Sequence, residues 1–253
     1  MVHFVGAGPG APDLITLRGA ELLEKADQVI YAGSLVNPAL LARCRAECRI
    51  LNSAEMTLEE IIDAIVEAEK KGRTTVRLHT GDPSVYGAIR EQMDRLEERS
   101  IPYDVVPGVS SFCAAAAALR AEYTLPGVSQ SVILTRMAGK TPVPETENMA
   151  ALAAHGSSMA IFLSAGMLEK LREELLKGSY TDLTPAALVY KASWPEEACV
   201  RCTVGTMVQC AEEHGIRKTA LVLVGDFLEG SRERSRLYDP AFSTGYRKGK
   251  DRL

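Results

Sequence analysis

Three short apolar runs in the first 110 residues each end at a glycine-containing loop, and this recurrence restricts the fold more than any other feature. They are VHFVGAGPG from residue 2, TTVRLHTGDPSVYG from residue 74 and YDVVPGVSS from residue 103. A glycine at a strand end lets the backbone turn sharply and come close to another chain segment or a ligand. Amphipathic stretches separate the runs. Residues 57–71 predict a helix opened by a capping box of Thr57 and Glu60 and stopped by Gly72, with Leu58, Ile61, Ile62, Ile65 and Val66 at helical spacing. Residues 16–25, 84–98 and 111–119 read as further helices, and 27–33 as another strand. Strands alternating with helices predict a parallel, wound sheet.

The pattern resets near residues 123–129, punctuated by Pro126 and Gly127. Beyond it, 131–136, 158–164, 185–193, 199–205 and 219–227 read as strands, and 166–177 and 206–214 as helices. The proline-bearing stretch 137–147 reads as a loop. The expected organisation is two α/β domains, residues 1–122 and 129–230, followed by a polar, mobile tail at 231–253.

Composition narrows the class. Of 253 residues, 46% are hydrophobic and 25% charged, as in ordinary globular proteins rather than disordered chains or fibres. A net charge of −4 argues against a dedicated nucleic-acid binder. No apolar run is long enough for a membrane span. The N-terminus lacks the cationic start of a secretory signal, so a cytoplasmic location is expected. The six cysteines are then reduced thiols rather than a disulfide framework.

The first loop, Gly6-Ala7-Gly8-Pro9-Gly10-Ala11, fits the dinucleotide pattern GxGxx(G/A). Two features oppose a nicotinamide-dependent oxidoreductase. Pro9 removes a backbone donor from the loop, and the second strand ends in Tyr31-Ala32-Gly33 with no acid to hold a ribose. In the second loop, Asp82 serves either a ligand or the N-terminus of the next helix. Ser110 and Ser111 in the third either cap a helix or face a ligand. Neither serine sits in a GxSxG elbow, which argues against a serine nucleophile. Cys199 and Cys202 form a CxxC, but three residues apart on a strand they point to opposite faces. Cys44 and Cys48 lie one helical turn apart and could in principle complete four ligands, but the opposed Cys199 and Cys202 and the lack of ligand spacing among the four histidines argue against a metal site.

The three loops, in this order and at these strand ends, resemble the tetrapyrrole methylase family, which uses S-adenosylmethionine. The similarity covers about residues 2–230, with VGAGPGAPDLITLRGAELLEKAD (5–27), RLHTGDPSVYG (77–87) and VPGVSS (106–111) matching its signatures. YAGSLVNP (31–38) and LTRMAGKTPVPETENM (134–149) are similar to the branch acting at carbon 11 of precorrin-4 or cobalt-precorrin-4. Uroporphyrinogen methylases share the signatures but differ at these two stretches.

The resemblance implies a homodimer of two α/β domains with S-adenosylmethionine in the cleft between them. It implies cofactor contacts from Pro9, from Thr80, Gly81, Asp82 and Val85, and from Ser110 and Ser111. By strand alignment it adds Leu163, Ser164, Ala192, Thr219 and Ala220. The tetrapyrrole carries acetate and propionate arms, for which Arg136 and Lys140 are the candidate partners, with Tyr86 against the macrocycle. No general base is nominated. A metal is not needed for the transfer, and cobalt, where present, belongs to the substrate.

Overall fold

The computed structural model describes residues 1–230, 233 and 235–250. Two compact units emerge, Met1–Ala114 with Lys191–Glu197, and Ala115–Tyr190 with the chain from Ala198 onward.

The first unit is built on five parallel strands. In chain order its elements are β1 (Val2–Gly6), α1 (Leu17–Lys25), β2 (Gln28–Tyr31), β3 (Arg49–Asn52), α2 (Leu58–Lys70), β4 (Thr75–His79), α3 (Arg90–Glu97) and β5 (Tyr103–Val106). The sheet order is β3-β2-β4-β1-β5. Val5 lies opposite Leu78 and Val106, so the carboxyl ends of β4, β1 and β5 stand side by side. Side chains alternate across the sheet. Val5, Val29, Val76 and Leu78 pack with Ala20 and Leu23 of α1, whereas Val2, Phe4 and Ile30 pack with Ile61, Ile62 and Ile65 of α2 and Leu96 of α3. The capping box of α2 is present as read: Glu60 N donates to Thr57 Oγ1, and Thr57 N donates to the Glu60 carboxylate.

Several expectations need correction here. Helix α3 begins at Arg90, not at residue 84, because Tyr86 (φ 56°) and Ala88 (φ 49°) adopt left-handed backbone that a helix cannot contain. Strand β3 was not anticipated. Cys44 ends a 3-10 helix, Pro38–Arg43, so Cys44 and Cys48 do not share an α-helical turn.

Helix α4 (Ser111–Leu119) follows β5. The second unit then contains β6 (Val132–Arg136), α5 (Met149–Ala153), β7 (Ser158–Phe162), α6 (Leu168–Leu176), β8 (Pro185–Tyr190), β9 (Ala198–Thr203), α7 (Met207–Glu213) and β10 (Ala220–Val224). Its sheet, in the order β6-β7-β10-β8-β9, is mixed: β6 and β7 run parallel, and the other neighbours are antiparallel. Met159, Ile161, Leu188 and Val222 from the sheet meet Leu171 and Leu175 of α6 and Met207 of α7 in one core. On β9, Cys199 is exposed while Cys202 packs against that core, the opposed orientation expected of a strand. In the polar stretch beyond residue 230, the described residues include a 3-10 turn, Arg236–Tyr238. Residues 231, 232, 234 and 251–253 of that stretch lie outside the described residues.

Candidate functional site

Three backbones converge at the carboxyl edge of the first unit's sheet. A Cβ on Gly6 would lie 2.5 Å from Gly108 Cα and 2.6 Å from Gly81 O, and one on Gly108 would lie 2.2 Å from Gly81 O. Glycine is required at both positions because no side chain fits between the loops. Gly8 and Gly81 exchange backbone hydrogen bonds at 3.2 and 2.8 Å, and Ala7 N donates to His79 O at 2.7 Å. The first and second loops are therefore zipped together beyond the strands themselves.

Asp82 fastens the second loop to the third. Its Oδ2 accepts from Gly108 N at 2.8 Å, and its Oδ1 accepts from Ser84 N at 2.8 Å and from the Ser84 hydroxyl. Burial pushes this carboxyl's pKa up, but the hydrogen bonds from Ser84 and Gly108 outweigh it and hold it below the usual value. The capping role left open in the sequence does not apply, since Ile89 is the residue preceding α3. Thr80 and Val85 are half-buried, Ser110 is buried, and Ser111 opens α4. Gly81 itself is left-handed (φ 59°).

Residues 191–197 brace the first loop, a contact no sequence signal disclosed. Trp194 Nε1 donates to Pro9 O at 3.0 Å, and Ala11 N donates to Ser193 Oγ at 3.0 Å. A Cβ on Gly10 would lie 2.0 Å from the Trp194 ring. The buried Pro9 thus presents its carbonyl to the indole. Ala192, read by strand alignment with the second domain, sits within this segment and groups with the first unit.

In the second unit, the remaining aligned residues gather at one sheet edge. The ends of β6, β7 and β8 and the start of β10 meet there, because Arg136 pairs with Phe162 and Ala220 with Tyr190. Leu163 and Thr219 both adopt left-handed backbone, φ 54° and 58°. For a leucine and a β-branched residue this conformation is costly, and such strain clusters at functional sites. Leu163 is 66% exposed. Ser164 is fully buried, and its hydroxyl donates to Phe162 O (2.7 Å) and accepts from Met137 N (2.9 Å), anchoring the loop after β6. Arg136 spans the same loop, donating to Met137 O, Thr141 O and Pro142 O, whereas Lys140 is exposed. Among the described residues, no group of three or more His, Cys, Asp or Glu side chains is placed to hold a metal ion.

Residues 1–208 match the family model of tetrapyrrole (corrin/porphyrin) methylases. The chain belongs to that family. It is 51% identical over 98% of its length to a cobalt-precorrin-4 C(11)-methyltransferase of Methanocaldococcus jannaschii, covering 96% of that protein. It is 47% identical to a precorrin-4 C(11)-methyltransferase of Sinorhizobium sp, covering 97% of this chain and 98% of the relative. The solved structure of a cobalt precorrin-4 methyltransferase superposes with a TM-score of 0.88 at 45% identity, over 90% of this chain and 95% of that one. A Thermus thermophilus uroporphyrin-III C-methyltransferase complexed with S-adenosylhomocysteine gives a TM-score of 0.74 at 26% identity, over 92% and 95%.

Proposed function

We propose that the protein is a methyltransferase that uses S-adenosylmethionine to methylate carbon 11 of precorrin-4 or its cobalt form in cobalamin biosynthesis. The observation that carries this reading is a near full-length likeness to carbon-11 methylases in a chain whose three glycine loops converge at one sheet edge. That edge fits the cofactor: ligands of open α/β sheets bind at the carboxyl ends of strands, and the glycines there leave room for close backbone approach. The relative holding S-adenosylhomocysteine supports the same choice of cofactor.

When bound, the cofactor supplies a methyl group already activated on a sulfonium. The protein's task is alignment, because holding two reactants in near-attack geometry lowers the barrier without further chemistry. We assign cofactor contact in the first unit to Pro9, Thr80, Gly81, Val85, Ser110, Ser111 and Ala192, with Asp82 holding the second and third loops in register. In the second unit, Leu163, Thr219 and Ala220 contribute from their sheet edge, and Ser164 positions the loop that follows β6. A proton leaves the acceptor ring system as the carbon is methylated. It passes to water or to a nearby base.

S-adenosylhomocysteine is expected to raise the unfolding temperature in proportion to its affinity, with NAD and NADP giving no shift. Product mass from precorrin-4, offered with and without cobalt, then checks the transfer and identifies the preferred form. No mass gain with either form would refute the reading.

The loop after β6 yields a finer expectation. Lys140→Ala weakens tetrapyrrole binding by about 1 kcal/mol or less, because an exposed ion pair is screened, and the loss shrinks further at high salt. Arg136→Ala acts differently. It releases three loop carbonyls and so lowers tetrapyrrole affinity independently of salt. Titrating the tetrapyrrole and S-adenosylhomocysteine separately against each variant checks both, and equal losses for the two ligands would contradict the assignment.

A further inference from the structure

On the α2–α3 face of the first sheet, the buried polar residues Gln28 and Thr75 satisfy each other and Ala64 O at the amino end, whereas Arg77 and His79 stand at the carboxyl end. Arg77 and His79 alternate with Val76 and Leu78 on β4, and their side chains share the face of Phe4, Ile30 and Ile61. Arg77 is 4% exposed and His79 is 3% exposed. Arg77 donates from Nε to Gln92 Oε1 and from Nη1 to Ile30 O, both at 3.0 Å. Both acceptors are neutral. Among the described residues, no carboxylate lies within ion-pair distance of Arg77. A buried charge without a counter-charge is costly, and such groups are ordinarily paired. His79 Nε2 is also buried and has no hydrogen-bond partner. Burial, reinforced by the neighbouring Arg77 charge, pushes its pKa down to about 3, so the ring is neutral.

Both residues line a cavity of about 350 Å³, together with Thr80, Tyr86 and Gln92. Its apolar wall includes Leu35, Met56 and Ile61. Glu91 also lines it but is exposed, so its charge stays solvated at the rim. A cation and an orphaned ring nitrogen beside an apolar wall define what completes the cavity: an anion with at least two acceptor oxygens, attached to an apolar body. Arginine's planar fork matches a carboxylate, and a neutral imidazole adds one further donor.

We infer that Arg77 and His79 form a subsite for one carboxylate arm of the tetrapyrrole, seating it in the cavity that Tyr86 borders. This rests on the methylase reading above. Tetrapyrrole and S-adenosylmethionine both carry carboxylates, and the substrate arm is favoured because, of the residues assigned above to the cofactor, Thr80 alone lines this cavity. Asp82, by contrast, ties its loop toward Gly108, on the other side of β4.

The test titrates enzymatically prepared precorrin-4 and, separately, S-adenosylhomocysteine against the wild type, Arg77→Met, Arg77→Lys and His79→Gln. Arg77→Met is expected to raise the precorrin Kd roughly tenfold or more, the loss of a charge-assisted contact, while leaving S-adenosylhomocysteine within about twofold. Arg77→Lys recovers only part, because an ammonium cannot make the bidentate contact. His79 makes no hydrogen bond from Nε2 in the free protein. His79→Gln therefore carries the test if the Arg77 variants fail to fold, with the same selective loss expected. Acetate should also raise the unfolding temperature of the wild type but not of His79→Gln or a folded Arg77→Met. Unchanged precorrin affinity in a folded Arg77→Met or in His79→Gln would overturn the subsite. So would a loss confined to S-adenosylhomocysteine, which would assign the cavity to the cofactor's carboxylate. If the wild type binds neither ligand, the methylase reading itself fails, and the acetate response alone then decides whether an anion site exists.

Discussion

Gly108→Ala is expected to destabilise the first unit by about 3 kcal/mol or more, a large share of the 5–15 kcal/mol that holds a typical domain folded. The new methyl would sit 2.2 Å from Gly81 O and 2.7 Å from Gly6 Cα. Both obstacles are backbone, so neither can swing aside as a flexible side chain would. Relief requires prising β5 away from β1, and with it the stacked ends of the sheet. Gly6→Ala meets the same wall from the other side. Two glycines serve as controls. Gly81 is left-handed, but an added Cβ there finds its nearest neighbour at 3.6 Å; Gly72 is left-handed with nothing within 4 Å. Alanine at either pays only the left-handed penalty of about 1–2 kcal/mol, partly offset by a stiffer unfolded chain. Urea unfolding of the four variants checks the ranking. If Gly108→Ala unfolds no more easily than Gly72→Ala, the three loops do not pack as described.

These glycines were readable because glycine and proline punctuate a sequence wherever the backbone does something special. The capping box of α2 was readable for a similar reason, since two residues three apart satisfy the same local donors in any helix. Other features left no such mark. Strand β3 is a four-residue edge strand, and Arg49 and Ile50 in it are exposed, so it shows no buried alternation. Tyr86 and Ala88 carry left-handed backbone without being glycine, so nothing in their identity warned that α3 begins six residues late. The second sheet is mixed, yet its central strands β7, β8 and β10 are as uniformly apolar as parallel ones. Strand direction does not show in a run whose two faces are both covered. Trp194 reaches Pro9 across 185 residues of chain, a contact set by tertiary packing alone. The polar pair on β4 did leave a signal: an arginine and a histidine at alternate positions of a strand otherwise fit for burial. A sequence read for strands alone passes over it.

Asp82→Ala is expected to impair cofactor binding more than it impairs the fold. Its carboxylate is the tie between the loop holding Thr80, Gly81 and Val85 and the loop holding Ser110 and Ser111. Removal leaves Gly108 N and Ser84 N without their acceptor. A hydrogen bond to a charged group contributes about 1.5–3 kcal/mol, and partial exposure places the stability loss near the lower figure. S-adenosylhomocysteine affinity should fall about tenfold or more, because two segments that must meet one ligand are no longer held in register. Asp82→Asn keeps one acceptor oxygen and should fall between the two proteins on both measures. The pH dependence has a definite sign. The folded carboxyl's pKa is depressed, so its contribution is complete above the unfolded value of about 4 and is lost as the pH falls through the folded value. The stability gap between wild type and Asp82→Ala should therefore be constant near neutrality and narrow only in acid. Calorimetric titration with S-adenosylhomocysteine, beside urea unfolding at several pH values, reads both quantities. An affinity unchanged in a variant that is less stable would make Asp82 a structural tie with no bearing on the cofactor.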